Sequence, residues 1–331
     1  MPAIALKSYE FRREREGTWL ELERLVSRVE SRGIGSLSAH DLTRLPVVYR
    51  ATLSSLAVAR AISLDKNVVD YLTALTGRAY FCVYGTRRHL RDAVAGFFAR
   101  RFPETVRRFR WHVLVAASFL ALGAVTAHVL VSSDADRFYS FVGEALADGR
   151  GPTASTAELR NTLYTHMSAA DRLVHLATFL FTHNAGVGIL SFALGFVAGI
   201  PTFLLTFMNG LMLGAFAALF EGRGLGVDFW GWVLPHGVPE LFALILCGAG
   251  GLILGQALVF PGRHTRLENL AIRGREAGVL IAGAVALLFL AGMIEGVFRQ
   301  TVESVPIRYG VAGTVALLLT WYFLRAGRGN R

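Results

Sequence analysis

The chain has 331 residues, of which 53% are hydrophobic and 18% are charged, with a formal net charge of +10. From Leu173 to Phe220 there are 48 consecutive residues without Asp, Glu, Lys or Arg. A soluble helix seldom runs so far without charge, because one of its faces meets water, whereas two helices of about 20 apolar residues would each cross the bilayer. The composition argues against a soluble protein and predicts an all-α, polytopic membrane helix bundle.

The positive charge lies mainly in the N-terminal third. Residues 1–110 contain 20 Lys and Arg against 11 Asp and Glu. A basic segment next to a span indicates cytoplasmic placement and attraction to anionic lipid. Acidic residues are interleaved throughout and no nucleic-acid motif is present, so we expect no nucleic-acid partner. Residues 1–107 are predicted to form a cytoplasmic helical domain of four helices.

Residues 108–331 are predicted to form a transmembrane helical domain with an external amphipathic segment at 132–172. About six spans are expected, at 111–131, 177–199, 202–220, 230–259, 277–296 and 309–324. Segments 1–110, 261–276 and 325–331 hold 27 Lys and Arg residues together, whereas the opposite segments 132–172, 221–229 and 297–308 hold 7. This bias places both termini in the cytoplasm. A re-entrant pair formed by the second and third spans would leave this orientation unchanged.

Small residues recur four positions apart in the predicted spans. The pairs are Gly195/Gly199, Gly210/Gly214, Gly251/Gly255 and Gly292/Gly296. Such pairs let helix backbones approach closely in lipid, where no water drives apolar faces together. They predict a compact bundle or a homodimer seam.

Polar residues inside a membrane are costly and mark candidate sites. The predicted intramembrane polar cluster consists of His183, Asn184, Asn209, His236 and Glu240. His236 and Glu240 are four residues apart, so they share one helix face. Asp134, Asp136, Glu295 and Glu303 are expected to be solvated external charges.

Prolines are predicted to interrupt two of these spans. Pro201 follows Gly199 between the second and third spans, and Pro235 and Pro239 flank His236. A proline within a helix removes a backbone donor and clashes one turn back, so we expect a kink or a broken turn at Pro235 and Pro239. Broken helices near the bilayer midplane often mark binding sites in transporters.

Three interpretations of the polar cluster remain open. In the first it locks the bundle through a carboxyl–imidazole pair, in the second it translocates a proton or substrate, and in the third it binds a metal. For the last, His183, His236 and Glu240 would supply the two imidazoles and one carboxylate that are common at hydrolytic zinc. No paired-ligand motif such as HExxH is present, so we expect no cofactor. A bound zinc ion is the alternative.

An ordered set of motifs resembles the stage II sporulation protein M family. The set comprises Phe181-Thr182-His183-Asn184, Gly195-x-x-x-Gly199-Ile200-Pro201-Thr202, Asn209-Gly210-x-x-x-Gly214, Leu234-Pro235-His236-Gly237-x-x-Glu240-Leu241 and Gly248-x-Gly250. The basic N-terminal half, with Phe102-Pro103, is similar to the longer branch found in bacteria that do not sporulate. The family's namesake is shorter and anchors peptidoglycan-cleaving proteins during engulfment, and the longer relatives tend to be encoded near AAA-type ATPases.

The resemblance and the domain plan favour an integral membrane scaffold or anchor of the bacterial cell envelope, in the inner membrane. The partners expected are the lipid bilayer, a second copy in a homodimer, and envelope or AAA ATPase proteins. A membrane transporter or channel that uses the His/Glu/Asn site is the alternative hypothesis, and an intramembrane metal-dependent hydrolase is the third. The sequence does not favour an enzyme.

Overall fold

The computed structural model describes residues 2–61, 65–84, 90–164, 185–298 and 301–328. These residues form helices and short turns without a β-strand, which confirms the all-α prediction. They fall into two compact units, Met1–Arg91 and Asp92–Arg331.

The first unit consists of three long helices. They are α1 (Pro2–Arg32), α2 (Ala39–Ala61) and α3 (Lys66–Val83), with a short 3-10 turn at Ile34–Ser36. Apolar residues at helical spacing bury one face of each helix in a shared core that includes Trp19, Leu22, Leu25, Val48 and Leu72. Asp65 starts α3 by accepting a hydrogen bond from the backbone N–H of Asn67.

The fourth helical segment groups with the second unit. It comprises α4 (Leu90–Gly96), a π-helical turn (Phe97–Arg101) and α5 (Phe102–Arg108). Phe102 stacks on Phe97 and contacts Phe323, and Val106 is buried in the same core. The sequence boundary at residue 107 therefore lies 16 residues after the boundary between the compact units, because residues 92–107 contribute apolar side chains to the second core.

Five helices of the second unit are long and apolar enough to cross a membrane. They are α6 (Arg110–Ser133), α11 (Ile200–Gly222), α12 (Gly226–Val259), α13 (Arg266–Met293) and α14 (Val305–Arg325). These helices match five of the six expected spans. The span expected at 177–199 lies partly outside the described residues, and its described part is a shorter apolar helix, α10 (Gly186–Ala193), that ends in a 3-10 turn (Leu194–Phe196).

Four short elements follow α6 in the predicted external segment. They are a 3-10 turn (Ala135–Arg137), α7 (Phe138–Phe141), α8 (Glu144–Ala147) and α9 (Thr156–Tyr164). Phe138 and Leu159 are fully buried, in a core shared with Phe220 of α11 and Phe229 of α12. The segment therefore packs on the ends of two membrane helices.

Glycines between α10 and α11 contact glycines of α12 through the backbone. A Cβ atom at Gly195 would overlap the backbone of Gly251, and one at Gly255 would lie 2.5 Å from the backbone N of Gly199. Gly199 itself has φ 75°, a left-handed conformation that favours glycine. The predicted pairs 195/199 and 251/255 thus pack against each other inside one chain.

The pair Gly210/Gly214 packs against α6 in the same way. A Cβ atom at Gly210 would overlap the carbonyl of Leu120, and one at Gly214 would overlap that of Ala124. The sequence predicted that these glycines serve either a compact bundle or a homodimer seam, and in the structure they pack helices within one chain.

Candidate functional site

A cavity of about 170 Å³ lies between the short helices α8 and α9 and the membrane helices α11 and α12. Leu146, Arg150 and Leu163 line it from the segment that the sequence predicts to be external. Most of its other walls are apolar and come from Met212, Leu213, Phe216, Phe220, Phe229, Trp232, Val233, Leu241 and Leu244. Its polar lining includes Asn209, His236, Glu240 and Glu295.

His236 and Glu240 meet a carboxylate from the next membrane helix. One ligating atom from each of His236, Glu240 and Glu295 lies within 4.8 Å of the other two. His236 is 7% exposed, Glu240 is half-buried and Glu295 is at least half-buried. Among the described residues, this is the one group of three metal-ligating side chains at such spacing.

Glu295 corrects a sequence prediction, because it was expected to be a solvated external charge. It lies in a π-helical turn (Ile294–Phe298) that continues directly from α13. This turn keeps the chain helical past Met293, so the Glu295 carboxylate faces the cavity beside α12 instead of leaving the bundle. The sequence signal was present, since Glu295 falls within the apolar stretch predicted as a span.

His236 is oriented by an aromatic neighbour one turn earlier. The ring of Trp232 meets the imidazole edge to face, with 5.6 Å between the ring centroids and 85° between the planes. Both side chains line the cavity. This contact limits rotation of the imidazole and holds it on the side of α12 that carries Glu240.

Asn209, a member of the predicted polar cluster, lines the same cavity from α11. Its Nδ2 atom donates a hydrogen bond of 2.8 Å to the carbonyl oxygen of Leu205, one turn earlier. One amide donor is therefore used by its own helix. His183 and Asn184, the other members of the predicted cluster, lie outside the described residues.

The predicted proline effects differ between the two positions. Pro201 lies in the first turn of α11, directly after the left-handed Gly199, where a missing N–H costs no helical hydrogen bond. By contrast, α12 continues as one helix from Gly226 to Val259, with Pro235 and Pro239 inside it. The expected helix break is absent there, and the carbonyls one turn earlier that lose their donors are those of Gly231 and Pro235.

Arg150 is a cavity residue that sequence reasoning did not single out. Its Nε and Nη2 atoms donate hydrogen bonds of 3.1 Å to Ala147 and 3.2 Å to Leu146 carbonyl oxygens. Its guanidinium lies over the ring of Phe216, with 5.3 Å to the centroid. Burial lowers the pKa of Arg150, and the negative charges of Asp148 and Glu295 oppose that shift. A fixed positive charge therefore shares this cavity with the carboxylates.

A second polar cluster ties the external segment to the membrane helices. The Tyr164 hydroxyl at the end of α9 donates to Asp228 in the first turn of α12. Arg308 of α14 is 2% exposed, with its guanidinium 4.9 Å from the Tyr164 ring centroid and its Nε donating to Val302 O at 2.7 Å. Burial, followed by the hydrogen bond and charge of Asp228, raises the pKa of Tyr164. These contacts hold the external segment over the cavity.

Comparison with protein families gives two matches. A family model described as stage II sporulation protein M matches residues 112–298, and one described as a domain of unknown function (DUF8413) matches residues 9–85. The first match contains all the residues of the candidate cavity, from Leu146 to Glu295. No curated protein and no solved structure matches the chain.

Proposed function

This chain belongs to the stage II sporulation protein M family, and on that premise we propose that it is an integral membrane scaffold or anchor of the bacterial cell envelope. In this proposal it lies in the inner membrane with both termini in the cytoplasm. Its N-terminal unit recruits a protein partner, such as an AAA ATPase or an envelope protein, and the membrane bundle holds that partner at the bilayer.

The observation that supports this role is an aromatic patch on the first unit, formed by Tyr80, Phe81 and Tyr84. These side chains are 51%, 71% and 61% exposed and lie at the end of α3. Their rings contact one another, with centroids 5.2 to 5.8 Å apart for the two pairs that involve Tyr80. Exposed aromatic side chains that cluster are enriched at protein-binding surfaces, where they act as anchors.

Site-specific photocrosslinking in cells tests the scaffold role. A photoreactive phenylalanine analogue at Phe81 is expected to capture a discrete envelope or ATPase protein, identified by mass spectrometry. The matched control places the analogue at Val47, which is 46% exposed on α2 and lies outside the patch. Equal capture at both positions, or no capture at Phe81, would contradict the proposal.

A homodimer is part of the proposal, and its interface differs from the glycine seam considered from sequence. The glycine pairs 195/199, 210/214 and 251/255 pack inside one chain, whereas α14 presents Leu317, Leu318 and Trp321 outward. Native mass spectrometry of the purified chain should find a dimer, and a Leu318→Trp substitution should shift the population toward the monomer. A monomeric wild-type chain would refute the homodimer.

The cavity supports a second candidate function, transport of a cation or proton. It joins Arg150 of the external segment to Glu240, a carboxylate within a membrane helix, as a translocation site requires. In proteoliposomes, Glu240→Gln should abolish flux while the protein stays monodisperse, and Glu144→Gln, an exposed carboxylate of α8, should retain it. Unchanged flux in Glu240→Gln would exclude this function.

A further inference from the structure

We propose that His236, Glu240 and Glu295 bind one divalent transition-metal ion in the cavity under the external segment. This ligand set differs from the one considered from sequence, because Glu295 of the π-helical turn replaces His183. The inference goes beyond the scaffold role and does not depend on it.

The geometry of the three donors fits a single ion. Their ligating atoms all lie within 4.8 Å of one another. Two nitrogen or oxygen ligands of one tetrahedral zinc ion are about 3.4 Å apart, because each lies about 2.1 Å from the metal. Side-chain rotations that move each ligating atom by up to about 0.7 Å therefore close the set around an ion.

The positions of the donors favour coordination by preformed elements. His236 and Glu240 are one turn apart on α12, so the helix fixes their spacing. Glu295 is carried by the end of the adjacent helix α13, and the contact of Trp232 orients the imidazole. Ligands on rigid helices keep their geometry when the ion leaves, as binding sites in helix bundles require.

Binding of a divalent cation is compatible with the apolar surroundings of the two carboxyl groups. Glu240 and Glu295 lie close together in a cavity whose walls are mostly apolar. A metal ion displaces the protons of its ligands when it binds, and its two positive charges balance the two carboxylates that result. Arg150 also lines the cavity and opposes a cation, so the affinity must come from direct coordination.

The ligand types select the class of metal. Imidazole favours zinc, iron and other transition metals, whereas magnesium and calcium prefer oxygen ligands alone. Three protein ligands leave a fourth position of a tetrahedral ion open to water or to a ligand that enters the cavity. We therefore expect zinc to bind and magnesium not to compete.

Metal titration of the purified full-length chain tests this proposal. The protein in detergent is treated with a chelator, loaded with zinc chloride in excess magnesium, passed through a desalting column and analysed for metal by mass spectrometry. We expect one zinc ion per chain. Glu240→Gln and Glu295→Gln should each weaken zinc binding at least about tenfold in calorimetric titrations, and Glu144→Gln should bind as the wild type does.

The outcomes separate this proposal from its alternatives. Size-exclusion chromatography and circular dichroism identify any variant that fails to fold, and His236→Gln provides a third variant of the site. No zinc above the level of a blank, or equal binding in wild type and in folded variants of all three ligands, would overturn the proposal. Photocrosslinking at Phe81 does not involve the cavity, so failure of the metal site and failure of the scaffold role are distinguishable.

Discussion

Tyr71 links two helices of the first unit through a hydrogen bond to a carboxylate. Its hydroxyl on α3 donates to Glu23 Oε2 on α1 at 2.9 Å. Burial, followed by this hydrogen bond and the negative charge of Glu23, raises the pKa of Tyr71 from 10.0 to about 12. The folded unit therefore favours the neutral phenol, and ionisation of Tyr71 opposes folding.

A change in alkaline stability follows from this shift. The pKa of Tyr71 is higher in the folded than in the unfolded chain. The contribution of the neutral phenol to the free energy of unfolding is therefore fully present below pH 10 and is lost as the pH rises toward about 12. Tyr71→Phe should remove this part of the pH dependence, and its ultraviolet titration should lack one phenol that ionises near pH 12 in the wild type. Glu23→Gln should move that midpoint down. A Tyr71 midpoint at the ordinary value would contradict the assignment.

Single-residue reasoning from sequence found part of the candidate site. Membrane depth placed Asn209, His236 and Glu240 together, and the cavity contains all three. It missed Glu295 because depth along a span does not show how the chain turns at its end, and a π-helical turn decides that. It missed Arg150 because its burial depends on packing of the short external helices, which no periodic pattern marks.

At the scale of helices, close backbone contacts hold the membrane bundle together. α6 and α11 meet where Gly210 faces the carbonyl of Leu120. In a bilayer this proximity stabilises helix pairs through dispersion, since apolar burial against lipid contributes little. Gly278 of α13 has open space around it, so these two glycines form a matched pair for a test of packing.

Alanine substitutions at these two glycines should have opposite effects. Gly210→Ala places a methyl group against a carbonyl of α6 and should destabilise the bundle by about 1–3 kcal/mol or more. Gly278→Ala adds the same methyl group without a contact and should be neutral or stabilising, because alanine favours helix by about 1 kcal/mol. Thermal unfolding in detergent measures both. Similar midpoints for the two variants would contradict the role assigned to Gly210.

Helix boundaries were predictable where apolar length decides them and not where local backbone geometry does. Five spans match because each contains an apolar run long enough to cross a bilayer, although α13 begins at Arg266, 11 residues before the predicted start at 277. The prolines of α12 were expected to break the helix, yet it continues through them. The backbone N–H that Pro239 lacks would have donated to the carbonyl of Pro235, so the two prolines disturb consecutive turns of α12.

At the scale of the whole molecule, charge gives a prediction of orientation that packing does not. The bias of Lys and Arg favours the N-terminal unit and the C-terminus on the cytoplasmic side. The domain boundary, in contrast, depends on packing: residues 92–107 are as basic as those before them, but Phe102 joins the core of the second unit. Composition alone therefore cannot locate that boundary.

Labelling with a membrane-impermeant maleimide tests the orientation. Cys82 and Cys247 are only 6% and 1% exposed, so serine at both positions gives a background with no competing thiol. Asp136→Cys in the external segment should react in intact spheroplasts, because the segment faces the periplasm in the predicted topology. Ser38→Cys and Arg328→Cys, also exposed, should react only after permeabilisation. Reaction of all three in intact spheroplasts would refute the proposed orientation, and reaction of Ser38→Cys but not Asp136→Cys would invert it.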